Sequence, residues 1–127
     1  MPVQSILIVD DEANQRLILE RALESPEQWS IATAASGHDA LRLAYERPPD
    51  LLITDYNMLA MNGLELIARL RAAGFSARII LMTAYTSQDI KEAAERLCVD
   101  HYLAKPVPLR LLRVITAVAM ERHIPEE

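Results

Sequence analysis

Residues 5–12 read SILIVDDE, and the fold turns on how this stretch is understood. Ile6–Val9 is apolar without interruption, then Asp10, Asp11 and Glu12 follow at once. An apolar run this short, closed by polar residues, predicts a strand buried on both faces rather than a helix. Its end must come to the surface, because adjacent carboxylates repel one another in any dry environment.

The same pattern recurs along the chain. Ile31–Ala35, Leu51–Ile53, Ile79–Met82 and Tyr102–Ala104 are further short apolar runs, so five buried strands are expected. Between them lie residues at helical spacing: Ile18, Leu19, Ala22 and Leu23; then Gly37, Ala40, Leu41 and Ala44. Gly63, Leu66, Ile67 and Leu70 mark a third helix, Ile90, Ala93, Ala94 and Leu97 a fourth, and a fifth follows Pro106. Ser36 with Asp39, and Thr86 with Asp89, have the spacing of capping boxes, and Pro108 suits a first helical turn. Pro48 and Pro49 should end the second helix. Strict alternation of strand and helix implies an α/β domain with a parallel sheet and helices on both faces.

Composition sets outer limits. One domain accounts for 127 residues, and 51% apolar with 24% charged residues is globular rather than disordered. A net charge of −5 argues against this segment gripping nucleic acid by its phosphates. Cys98 is the single cysteine, which excludes an internal disulfide and fits a reducing, cytoplasmic location. No apolar run reaches membrane-spanning length, and residues 1–5 lack the pattern of a signal peptide.

Open parallel sheets bind ligands beyond the carboxyl ends of their strands. Those ends carry Asp10 and Asp11, then Asp55, then Thr83 and Ala84, then Lys105 and Pro106. Clustered carboxylates are most simply a seat for a hard divalent cation such as Mg²⁺ (or Mn²⁺), although Asp10 or Asp11 could instead cap the first helix. Lys105 makes sense if an anion joins the cation, and it could also pair with Asp55 at rest. The Thr83 hydroxyl and the Ala84 N–H are candidate donors to that anion.

The stretches ILIVDDE, SGHDAL, LLITDYNMLAMNGLEL, IILMTAY and DHYLAKP together resemble the receiver domains of two-component response regulators. The resemblance implies a flavodoxin-like three-layer sandwich with strand order 2-1-3-4-5 and five helices, a receiver domain over residues 3–123, and a tail or linker start at 124–127. It implies a phosphorylation-dependent switch in which Asp55 is the phosphoacceptor, Asp11 a direct Mg²⁺ ligand, Asp10 a ligand through water and Asn57 a ligand through its carbonyl. Thr83 and Lys105 would contact phosphoryl oxygens, and Tyr102 would turn inward on phosphorylation. The implied phosphodonor is a histidine kinase or phosphotransfer protein; catalysis would be limited to self-phosphotransfer and self-dephosphorylation. The implied output face is helix 4–strand 5–helix 5, for a homodimer or an output partner.

Two departures from the family pattern stand out. Leu59 and Asn62 replace a usual proline and aspartate, which removes pre-set loop geometry. Cys98 and Val99 replace a usual Gly-Ala, so a different ending is expected for the fourth helix. In the fifth helix, Leu112, Ile115 and Ala119 form a core stripe, while Leu111, Val114 and Val118 form a second stripe about 100° away. That second stripe is either a broad core face or an interaction surface. Met58, Met61 and Trp29 read as packing residues, and His38, His101 and His123 lack metal-like spacing. Two other functions compete with the receiver reading. A Mg²⁺-dependent phosphohydrolase with an aspartate nucleophile needs a second Asp at position 12, where Glu stands. A flavin-binding module needs a phosphate cradle after the first strand, where Asp10–Glu12 would repel phosphate.

Overall fold

The computed structural model describes residues 4–121. Five parallel strands and five helices alternate: β1 (Gln4–Val9), α1 (Ala13–Leu23), β2 (Trp29–Ala34), α2 (Gly37–Glu46), β3 (Leu51–Asp55), α3 (Gly63–Ala72), β4 (Arg78–Thr83), α4 (Gln88–Arg96), β5 (His101–Ala104) and α5 (Leu109–Glu121). The sheet order is β2-β1-β3-β4-β5, all pairs parallel. The three layers follow from the period of two along each strand. Leu7, Val9, Leu52, Ile79 and Leu81 face α2, α3 and α4 through Ala40, Ala44, Leu66, Ile67, Leu70 and Ala94. Their neighbours Ile6, Ile8, Leu51, Ile53, Ile80 and Met82 face α1 and α5 through Leu19, Leu23, Leu112, Ala119 and Met120. Because both faces are covered, the strands carry apolar residues without alternation.

The helix ends show where side-chain patterns succeed and where backbone geometry overrides them. Ser36 caps α2 by accepting from the Asp39 N–H at 3.1 Å. The expected Thr86–Asp89 box is displaced by one residue: Ser87 caps α4, its hydroxyl accepting from the Ile90 N–H at 3.1 Å. Asn62 and Glu65 form a full capping box at α3, each side chain accepting from the other's N–H at 2.9 Å. Arg47 ends α2 ahead of the two prolines. Pro108 lies just before α5, where its carbonyl accepts the Leu112 N–H at 3.0 Å.

The end of α4 corrects the expectation for Cys98. Cys98 does adopt the left-handed conformation, at φ 59°. Its N–H donates to the Glu95 carbonyl and that of Val99 to the Ala94 carbonyl, both at 3.0 Å, which is the Schellman pattern. Gly74, at φ 92°, ends α3 in the same way. A left-handed L-residue costs about 1–2 kcal/mol, and Arg71 helps to offset it. Its guanidinium donates to the carbonyls of Leu97 (2.9 Å), Cys98 (3.0 Å), Phe75 (3.0 Å) and Ala77 (2.9 Å), joining the ends of α3 and α4.

Two apolar patterns are sorted by the fold. In α1 only Leu19 and Leu23 of the expected stripe are fully buried, whereas Ile18 points outward beside Leu17. In α5 the stripe through Leu112 and Ala119 is buried, while Leu111, Val114 (56% exposed) and Val118 face solvent. The second stripe is therefore not part of a broad core face. Met58, Met61 and Trp29 are buried, with the Trp29 Nε1–H donating to the Leu23 carbonyl at 2.8 Å. His123 and the tail lie outside the described residues. No helix among the described residues is long and apolar enough to cross a membrane.

Candidate functional site

β1 pairs with both β2 and β3, so the chain direction of the crossovers reverses there and leaves a crevice beyond the strand ends. Asp10, the residue after β1, is held by its own N–H donating to the Ala34 carbonyl at 3.1 Å. Only 1% of its surface is exposed. Its Oδ1 accepts from the Glu12 N–H at 2.9 Å, but Oδ2 is buried with no hydrogen-bond partner. Burial pushes the Asp10 carboxyl above the usual carboxylate range; the Glu12 N–H opposes this, the Asp55 charge adds to it, and Lys105 and Asp11 act more weakly with opposite signs.

Asp55 closes β3 and is 6% exposed. Its Oδ2 pairs with the Lys105 Nζ at 2.9 Å, and its Oδ1 accepts from the Asn57 N–H at 3.3 Å. The resting pair foreseen for Lys105 and Asp55 is thus present. Lys105 is brought there because its N–H donates to the Thr83 carbonyl at 2.8 Å, locking the end of β5 to the end of β4. The peptide from Lys105 to Pro106 is cis. Asp11 is exposed on the same rim, and its Oδ2 accepts from the Leu59 N–H at 3.2 Å.

Thr83 is fully buried and makes a local turn: its Oγ1 accepts from the Tyr85 N–H at 2.9 Å and donates to the Tyr85 carbonyl at 3.1 Å. The Tyr102 hydroxyl donates to that same carbonyl at 3.3 Å. Tyr85 is therefore a shared acceptor between the buried threonine and the half-buried aromatic. Its own side chain is exposed, and only the backbone position gives it this role.

The donor set suits Mg²⁺. No three His, Cys, Asp or Glu side chains among the described residues lie close enough to enclose an ion unaided. Mg²⁺ does not ask for that: one or two carboxylates, a carbonyl and retained waters satisfy it. The partnerless, buried Asp10 Oδ2 is the kind of acceptor that a bound ion or its water shell would satisfy.

Acids after β1 and at the end of β3, a hydroxyl at the end of β4 and an ammonium after β5 thus share one rim of a parallel α/β sandwich, and the family match gives that rim its class: a signalling domain rather than a conventional enzyme. The chain belongs to the response regulator receiver domain family of two-component systems, whose profile matches residues 6–117. It is 38% identical over 113 residues to an uncharacterized 14.6 kDa protein of Leptolyngbya boryana, covering 87% of this chain and 86% of that one. It is 30% identical over 122 residues to sporulation initiation phosphotransferase F of Bacillus subtilis, covering 96% and 94%. Among solved structures, response regulator TrrA of Thermotoga maritima, in complex with Mg²⁺-BeF, superposes with a TM-score of 0.80 at 32% identity, covering 92% of this chain and 99% of that one. The receiver domain of Francisella response regulator 1452 gives 0.85 at 23% identity, covering 94% and 98%, and supports the fold. Other curated relatives are longer, and the chain spans 44% of their length.

Proposed function

We propose that Asp55 accepts a phosphoryl group from a phosphohistidine on a partner kinase or phosphotransfer protein. The observation that carries this reading is the Asp55 carboxylate, buried at the sheet rim and fixed on one oxygen by Lys105 and on the other by the Asn57 N–H. An Asp55 oxygen attacks phosphorus, the phosphorus–nitrogen bond breaks, and the imidazole leaves with the electron pair. Phosphorylated aspartate then returns to carboxylate when water attacks the same phosphorus.

Positioning and charge neutralisation are what such a transfer requires. Lys105 Nζ supplies a positive charge where phosphoryl oxygens gather, and Thr83 Oγ1 and the Ala84 N–H are further donors at the end of β4. Asp10, Asp11, Asp55 and the Asn57 carbonyl would hold Mg²⁺, which, when bound, offsets the charge of the transferring oxygens.

Tyr85 links this event to the surface. If Thr83 turns its hydroxyl to a phosphoryl oxygen, the Tyr85 carbonyl loses one of its two side-chain donors, and the Tyr102 hydroxyl is left as the other. Phosphorylation would so bias two arrangements of the α4–β5–α5 face. The exposed stripe Leu111, Val114 and Val118 on that face is offered as the contact for self-association or an output partner. Paired Val114→Asp and Val118→Asp substitutions are expected to abolish the increase in solution mass, or the partner binding, that a beryllofluoride adduct induces. An assembly state and partner binding unaffected by both charges would remove the stripe from the account. A cytoplasmic setting is part of this reading, and the free, exposed Cys98 is compatible with the reducing conditions there.

The direct test is incubation with a small phosphodonor and Mg²⁺ followed by intact mass. One phosphoryl group should be added, with uptake slowed at least tenfold when Mg²⁺ is chelated. Uptake of none, or of several, would contradict the proposal.

A further inference from the structure

We infer that the Leu59 backbone N–H is a positioning group for the divalent-ion site, an inference that rests on the acidic rim being a Mg²⁺ seat. The loop from β3 to α3 holds two acids, one that closes β3 and one that follows β1. The Asn57 N–H donates to Asp55 Oδ1 at 3.3 Å, and two residues later the Leu59 N–H donates to Asp11 Oδ2 at 3.2 Å. The same loop carries the Asn57 carbonyl that the Mg²⁺ reading uses as a ligand. One segment therefore offers one oxygen to the ion and fixes the direction of two carboxylates that share it.

The Leu59 amide is held in place by its surroundings. Ala60 sits at φ 68°, and the Met61 N–H donates back to the Leu59 carbonyl at 2.7 Å, giving a tight three-residue turn. Such a turn is strained for a residue with a Cβ. It is secured downstream by buried Met61 and by the Gly63 N–H donating to the Tyr56 carbonyl at 2.8 Å. The Leu59 side chain, by contrast, is 81% exposed and contributes nothing to the core. What residue 59 supplies is its N–H.

Asp11 is an exposed carboxylate that would otherwise sample several rotamers. A charge-assisted bond on Oδ2 restricts it while leaving Oδ1 for an ion. A proline at this position, as in the usual family pattern, has no N–H to give. This chain therefore orders Asp11 through a hydrogen bond that a proline-bearing loop cannot form.

The experiment titrates Mg²⁺ into the whole chain by calorimetry, without phosphodonor, for wild type, Leu59→Ala and Leu59→Pro. A fourth protein carries an ester in place of the residue 59 amide, which deletes the N–H and leaves the side chain. Wild type and Leu59→Ala should bind Mg²⁺ alike, while Leu59→Pro and the ester bind about tenfold more weakly. At saturating Mg²⁺ the ester protein should regain wild-type phosphoryl uptake, which a general loss of structure would not permit. If Leu59→Pro is unfolded by circular dichroism, the ester decides. Wild-type Mg²⁺ affinity in the ester protein would overturn the inference while leaving the metal seat intact. An absence of Mg²⁺ binding by wild type would instead remove the seat, and the inference with it.

Discussion

Asp55→Ala is expected to take up no phosphoryl group under conditions in which the wild-type chain gains one, a complete loss by intact mass. Other acids are present on the rim, so this outcome is not trivial. Asp10 is almost wholly buried, and burial favours its neutral form, a poor nucleophile. Asp11 is exposed and held by a loop N–H rather than by a counter-charge. Of the three, Asp55 is the one in direct contact with Lys105, whose ammonium lies 2.9 Å from its Oδ2 and would meet the incoming phosphoryl oxygens. The substitution removes the Lys105 pair but also removes a repulsion felt by Asp10. These two effects oppose each other, so the change in stability is their difference and should fall short of the full cost of breaking a buried pair. A denaturant titration checks that the loss of uptake is chemical and not a loss of fold. A variant that still gained one phosphoryl group would move the acceptor elsewhere.

Gly63→Ala should be the most damaging small substitution near the site. A Cβ there would lie 2.5 Å from the Asp55 carbonyl oxygen and 3.0 Å from the Tyr56 Cα. Both are backbone atoms at the end of a fully buried strand, and neither can retreat without moving the phosphoacceptor. Overpacking of this kind costs about 3 kcal/mol, measurable by denaturant titration, and phosphoryl uptake should slow in the folded fraction. Gly37→Ala is the control. There the Cβ would meet Met61 Sδ at 2.6 Å and its Cβ and Cγ at 3.0 Å, on a flexible side chain that can re-pack. Its cost should be roughly half as large or less. Equal, small effects at both glycines would mean that the α3 start does not press on Asp55.

Much of this arrangement was legible because strand and site share a code. Ile6–Val9 and Leu51–Ile53 announce buried strands and the acids that follow mark their ends, so fold and candidate site are legible in the same residues; that Asp10 and Asp55 are buried there while Asp11 alone is exposed is not. The alternation of Leu7 with Ile6 and Ile8 between two cores could not be told from composition, since both faces ask for the same apolar side chains. Backbone-borne features were harder still. Cys98 takes the left-handed geometry that Gly74 takes, and nothing in a cysteine says so; Arg71, donating to the Leu97 and Cys98 carbonyls, helps to hold it there. Thr86 and Ser87 are chemically equal as caps, and the chain path chose the second. The roles of Leu59 and Tyr85 reside in an amide and a carbonyl that every residue but proline possesses in full. For Leu59 a signal did exist: a residue with an N–H stands where the family pattern has one without.

Whether Asp55 and its neighbours form a metal-assisted phosphoacceptor site is decided by a structure of the chain soaked with Mg²⁺ and beryllofluoride. The expected adduct has beryllium bonded to an Asp55 oxygen, the ion ligated by Asp11 and the Asn57 carbonyl, Lys105 Nζ moved from Asp55 Oδ2 to a fluoride, and Thr83 Oγ1 released from Tyr85. Beryllofluoride bound at another acid, or Asp55 still paired with Lys105 beside an empty rim, would contradict it.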